Sequence, residues 1–135
     1  MKTRKTRKKR EIRVKTKKLA NSFKYAIAGI LISFRKERNM RIHFLVMFLV
    51  IILGFLLHIS QIEWLICIVW FAAVIGGELF NTAIETTVNI IMPYRNPKAK
   101  IAKDVSAGAV LMLALGSAIS GLIIFVPKII EYIRK

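Results

Sequence analysis

The sequence predicts an all-α integral membrane protein, with an N-terminal amphipathic surface helix followed by three transmembrane helices. Three observations predict it. The 135-residue chain combines 56% hydrophobic residues with a net charge of +16, a pair that one soluble fold does not reconcile. The two properties are segregated, since residues 1–41 hold sixteen of the twenty-three Lys and Arg. Beyond them lie apolar runs free of Asp, Glu, Lys and Arg, and a membrane span needs about 20 such residues. A basic block ahead of apolar spans places the N-terminus in the cytoplasm. The length suits one domain.

Residues 1–18 are dense in charge and nearly devoid of apolar side chains, so alone they cannot bury enough surface to fold. They form a basic cytoplasmic tail, preceding a membrane domain over residues 19–135. Each base near an anionic leaflet contributes about 1 kcal/mol, so the tail's partners are anionic lipid headgroups. No aromatic or motif context makes it a nucleic-acid arm, and no nucleic-acid partner is expected. From Leu19 to about Arg38, Leu19, Phe23, Ile27, Ile30, Leu31 and Phe34 recur at helical spacing among Lys and Arg. That pattern suits a helix lying in the interface.

The first span is expected over residues 42–62, and the short turn at Ser60-Gln61-Ile62-Glu63 carries no base, so it lies outside. Trp64 beside it suits an interfacial anchor. The second span covers residues 64–92 and ends at Pro93. A turn-rich, basic cytoplasmic loop follows, from Pro93 to Lys100. The third span covers residues 105–127, with Gly116-xxx-Ser120 and Ser117-xxx-Gly121 as small-residue pairs that let helices approach closely. Cys67, the single cysteine, reads as a small hydrophobe, and no disulfide framework exists. No cleavable signal peptide is expected. Three helices shield a polar site poorly, so a homo-oligomer is expected.

The second span carries Glu78, Asn81 and Glu85. Residues seven apart lie about 10.5 Å along one helix face, so these three share a stripe. Ionisable groups in a span are costly and mark functional sites by default. By topology, Glu37, Glu78, Glu85 and Asp104 lie at or near the cytoplasmic boundary, beside Arg95, Lys98, Lys100 and Lys103. Carboxylates beside bases suit a phosphate donor with Mg²⁺, a metal held by hard oxygens. The deeper Glu78 is left to take a proton from a membrane-embedded hydroxyl. No Walker A or Gly-rich kinase loop appears, which excludes soluble kinase folds. The alternative on these residues is a non-enzymatic protein such as a proton or cation pathway.

Glu78-Leu79-Phe80-Asn81-Thr82-Ala83-Ile84-Glu85, followed by Lys103-Asp104-Val105-Ser106-Ala107-Gly108-Ala109-Val110-Leu111, resembles the prokaryotic diacylglycerol kinase family. Phe34-Arg35-Lys36-Glu37-Arg38-Asn39-Met40-Arg41-Ile42-His43 does so too, particularly its Gram-positive branch, which includes undecaprenol kinases. The resemblance covers roughly residues 19–127. It implies a homotrimer in the plasma membrane of a bacterium, with active sites shared between neighbouring subunits. It implies transfer of the γ-phosphoryl of ATP to a lipid hydroxyl, most simply that of undecaprenol, with diacylglycerol as runner-up. By the same resemblance Glu78 is the general base and Asn81 orients groups at the reacting centre. Glu37 and Glu85 hold the Mg²⁺ that bridges the ATP phosphates, and Lys103 and Asp104 contact the nucleotide. Tyr25 falls at an adenine-side contact, and Tyr94, Arg95 and Asn96 occupy a loop near the nucleotide. One departure stands out: the family commonly has Asp four residues after its second Glu, where this chain has Asn89.

Overall fold

The computed structural model describes the backbone of residues 2–134 and the side chains of residues 16–134. Four helices follow in order: α1 (Lys2–Lys36), α2 (Arg38–Leu56), α3 (Gln61–Ile91) and α4 (Pro97–Ile133). Among the described residues there is no strand. Residues 1–36 and 37–135 form two units.

In the first unit, α1 runs through the basic segment instead of starting near Leu19. Lys, Arg and Glu are good helix formers, and no Pro or Gly interrupts the chain before Gly29, so a continuous helix follows from local preference. The side chains of residues 1–15, on which the headgroup contacts of the tail rest, lie outside the described residues. Further along α1, Leu19, Phe23, Ile27 and Leu31 are exposed, as a face meant for the acyl boundary should be. Arg35 and Lys36 occupy the last turn, where cations offset the helix dipole.

In the second unit, α2, α3 and α4 are each long and apolar enough to cross a membrane. With α1 as the surface helix, this is the expected architecture of one helix plus three spans. Helices α3 and α4 pack along each other, while α2 touches α3 more sparingly. Few side chains in the spans are buried, so most of their apolar surface faces outward.

The first span ends at Leu56, six residues before the expected Ile62. The stop is a Schellman motif. Ile59 N–H donates to the Gly54 carbonyl at 3.1 Å and His58 N–H to the Phe55 carbonyl at 3.4 Å. His58 takes the left-handed position that glycine usually fills, with φ at 50°. Gly54 is needed beside it, because a Cβ there would stand 2.8 Å from the Trp64 ring. The Phe55 and Trp64 rings meet in a tilted arrangement, with centroids 5.0 Å apart and planes at 51°.

Helix α3 begins with a capping box. Glu63 N–H donates to Ser60 Oγ at 3.3 Å, and Ser60 N–H to Glu63 Oε2 at 2.6 Å. The same Glu63 oxygen lies 3.1 Å from Lys128 Nζ of α4. Helix α4 continues through Pro127 to Ile133. Ile59, Cys67, Ile124 and Phe125 cluster in this end of the bundle.

The small-residue pairs of α4 act differently from expectation. Gly116 makes room for the Trp70 ring, which would clash with any Cβ there. The indole Nε1–H donates to Ser120 Oγ at 2.9 Å. Gly116 and Ser120 thus form a slot for one aromatic side chain, while a Cβ at Gly121 would meet nothing within 4 Å.

Candidate functional site

Glu78 is 1% exposed, and its Oε2 is buried with no hydrogen-bond partner. The close passage of α4 seals this part of α3: a Cβ on Gly77 would come within 2.6 Å of Leu113. Leaving a buried polar atom unpaired costs about 1–3 kcal/mol, so such an atom calls for a functional explanation. A cavity of about 180 Å³ adjoins the carboxyl, lined by Asn39 and His43 of α2, Asn81 of α3 and Ala107 of α4, among others.

Asn81 is buried one turn along α3 from Glu78. Its Oδ1 lies 2.6 Å from Ser106 Oγ of α4, which is also 2.9 Å from the Lys103 carbonyl. A hydroxyl has one proton to donate, so Ser106 shares it between these two acceptors. Thr82 is buried too, its hydroxyl donating to the Glu78 carbonyl at 2.9 Å. Ser106 was not singled out as a site residue from the sequence, although it stands in the Lys103–Leu111 motif. Serine within a span reads as an ordinary small residue until its partner is known.

The carboxylates whose charges act on Glu78 are Glu37 and Glu85. Glu37 sits in extended conformation at the N-cap position of α2, without a capping hydrogen bond to that helix. Glu85 is half-buried two turns beyond Glu78. Among the described residues no group of three or more His, Cys, Asp or Glu side chains is preassembled to hold a metal. Glu37 and Glu85 supply two hard-oxygen donors, the ligand type that Mg²⁺ takes alongside phosphate oxygens and water.

A second, more open cavity of about 750 Å³ lies at the α3–α4 loop, lined by Asn89, Tyr94, Arg95, Asn96, Lys103 and Asp104, among others. Tyr94 is 86% exposed. Asn96 caps α4, its Oδ1 accepting from Lys98 N–H at 2.9 Å and Ala99 N–H at 3.4 Å. Its amide oxygen therefore has a structural partner. Asp104 pairs with Lys100 at 2.8 Å, and Lys103 Nζ donates to Asn89 Oδ1 at 3.1 Å. Tyr25, exposed on α1, belongs to the other unit. A third cavity of about 340 Å³ is apolar, lined by Val46, Trp70, Phe71 and Ile124 among others, and shares Ile42, His43 and Ala114 with the Glu78 cavity.

The description of the prokaryotic diacylglycerol kinase family matches residues 24–125. The chain is 45% identical over 108 residues to an undecaprenol kinase of Bacillus subtilis (strain 168), covering 80% of this chain and 88% of that protein. It is 37% identical over 111 residues to a diacylglycerol kinase of Synechocystis, covering 82% of this chain and 63% of the relative. It is also 36% identical over 93 residues to a diacylglycerol kinase of Pseudomonas aeruginosa, covering 69% and 76% respectively. The matched stretch contains the Glu78 cavity and the loop cavity, together with Glu37 and Tyr25.

Proposed function

Because the chain belongs to the prokaryotic diacylglycerol kinase family and is a multi-pass membrane lipid kinase, we propose that it phosphorylates undecaprenol, with diacylglycerol as the second acceptor. A non-enzymatic proton or cation pathway is not favoured by that membership. The observation that carries the mechanism is the buried, unpartnered Glu78 Oε2 beside a cavity within the spans. Such an oxygen has a lone pair free to accept a proton from a lipid hydroxyl. The hydroxyl oxygen then bonds to the γ-phosphorus of ATP, the bond to the β,γ-bridging oxygen breaks, and ADP leaves. Phosphoryl transfer of this kind depends on positioning and charge more than on covalent help from the protein.

Glu37 and Glu85 hold Mg²⁺ in this reading, and Asn81, fixed by Ser106, orients groups at the reacting centre. Bound there, Mg²⁺ neutralises charge developing on the phosphates. Lys103, Asp104, Tyr94, Arg95 and Asn96 receive the nucleotide at the loop cavity, with Tyr25 on its adenine side. The apolar cavity that shares walls with the Glu78 cavity supports an acceptor with a long hydrocarbon chain. The name of the Bacillus relative supports undecaprenol.

The sparse burial of the spans supports association between subunits, and the family resemblance implies that the assembly is a homotrimer in which neighbours complete each site. The sixteen bases in residues 1–41 support a cytoplasmic N-terminus at a bacterial plasma membrane, against anionic headgroups. One assay tests the function: purified protein in lipid nanodiscs with Mg²⁺, γ-labelled ATP, and undecaprenol and diacylglycerol in competition. Label should enter undecaprenyl phosphate preferentially. No label in either lipid would end the kinase reading, and a preference for diacylglycerol would reverse the acceptor.

A further inference from the structure

The loop cavity contains a cation held in an unusual way. Lys103 Nζ donates to Asn89 Oδ1 across the α3–α4 interface at 3.1 Å, and both side chains line the cavity. Asp104, the carboxylate among the described lining residues, pairs with Lys100 at 2.8 Å. Among the described residues Lys103 forms no ion pair. Its ammonium is therefore fixed in place by a neutral amide.

We propose that Asn89 is a positioning residue that aims Lys103 into the loop cavity through a neutral acceptor, keeping the cation's charge available to a nucleoside triphosphate. This rests on the reading that Lys103 contacts the ATP phosphates, and it adds how that contact is tuned. A free lysine side chain has many rotamers, and one hydrogen bond from a rigid helix selects among them. A carboxylate in the same place would hold Lys103 at least as firmly, but its one negative charge would cancel the cation's field at the phosphates. The neutral amide separates holding the lysine from neutralising it. The backbone of Lys103 is fixed as well, its carbonyl 2.9 Å from Ser106 Oγ.

The test compares Asn89→Asp, Asn89→Ala and Lys103→Met in the full-length protein in nanodiscs. Calorimetry measures binding of the Mg²⁺ complex of a non-hydrolysable β,γ-methylene ATP analogue, and steady-state kinetics separates KM for ATP from kcat. Asn89→Asp should weaken binding and raise KM about fivefold at low salt, the scale of an exposed charge pair, with kcat within about twofold. The loss should shrink as salt shortens the Debye length from about 10 Å at 0.1 M to about 3 Å at 1 M. Asn89→Ala, which loosens the lysine without adding charge, should weaken binding about twofold at every salt concentration. The proposal is overturned if Lys103→Met weakens binding while Asn89→Asp leaves it unchanged, or if the Asn89→Asp loss is indifferent to salt. Binding unchanged in Lys103→Met would instead remove the phosphate role of Lys103 itself.

Discussion

Replacing Glu78 by Gln keeps the side chain's length and shape and removes its capacity to accept a proton. A positioned general base contributes about 10²–10⁴ in rate, and the middle of that range, about 10³, corresponds to roughly 4 kcal/mol of barrier. The site geometry sharpens this. Oε2 of Glu78 has no hydrogen-bond partner, so no neighbouring group stands ready to relay the proton once the carboxylate is gone. The loop residues proposed to receive the nucleotide line a different cavity, so KM for ATP should stay within about twofold while kcat falls about a thousandfold. An amide in this buried position that finds no acceptor costs about 1–3 kcal/mol of stability, so rates are normalised to the folded fraction from a thermal melt. Glu78→Asp supplies the control: the carboxylate is retained but withdrawn by about 1 Å, a displacement that can cost about 10²-fold. The assay is the initial rate of label transfer from γ-labelled ATP to lipid. The assignment of Glu78 as base would be falsified if Glu78→Gln kept a kcat within tenfold of the wild type.

Three further perturbations address the scaffold. Ser106→Ala leaves the buried Asn81 amide oxygen without its α4 partner, so it should cost about 1–3 kcal/mol in a detergent melt and lower kcat more than KM; an unchanged melt and rate would show that the tie is dispensable. Gly116→Ala drives a methyl into the Trp70 ring, and overpacking of this kind costs about 1–3 kcal/mol, read as a lower thermal midpoint and altered indole fluorescence. His58→Gly relieves a left-handed residue at the end of α2 and should raise the midpoint by the equivalent of about 1 kcal/mol, whereas a fall would mean that the imidazole itself holds the turn.

Much of the fold was legible because charge and hydropathy are segregated along the chain. The spans follow from the runs without Asp, Glu, Lys or Arg, and the Glu78–Asn81–Glu85 stripe follows from helical period alone. The limits of the reading have physical causes. Residues 2–18 are polar enough to suggest disorder, yet they are also strong helix formers, and composition does not say which tendency prevails. The end of α2 was misplaced because Leu57 and Ile59 are apolar, and a Schellman turn with His58 in place of glycine leaves no familiar mark. Pro127 read as a terminus, although the helix accommodates it. Glu63 gave no sign of Lys128, nor Asn81 of Ser106, since contacts 65 and 25 residues apart in the sequence are made only by the packing of α3 on α4. Asn89 was visible as a departure from the family pattern; its partner Lys103 was visible only in three dimensions.

The turn at His58 also sets a mechanical ratio. At this end α2 is closed by the Schellman bonds and meets α3 through the Phe55–Trp64 ring contact, just ahead of the capping box of α3, while at its other end it carries Asn39 and His43 to the Glu78 cavity. The arm between Leu56 and Asn39 is about 25 Å at 1.5 Å per residue. A rotation of one degree at the turn moves the far end by about 0.4 Å along such an arm. The width of the cavity around Glu78 thus depends on the stiffness of the turn at the far end of α2, formed by residues that line no part of that cavity.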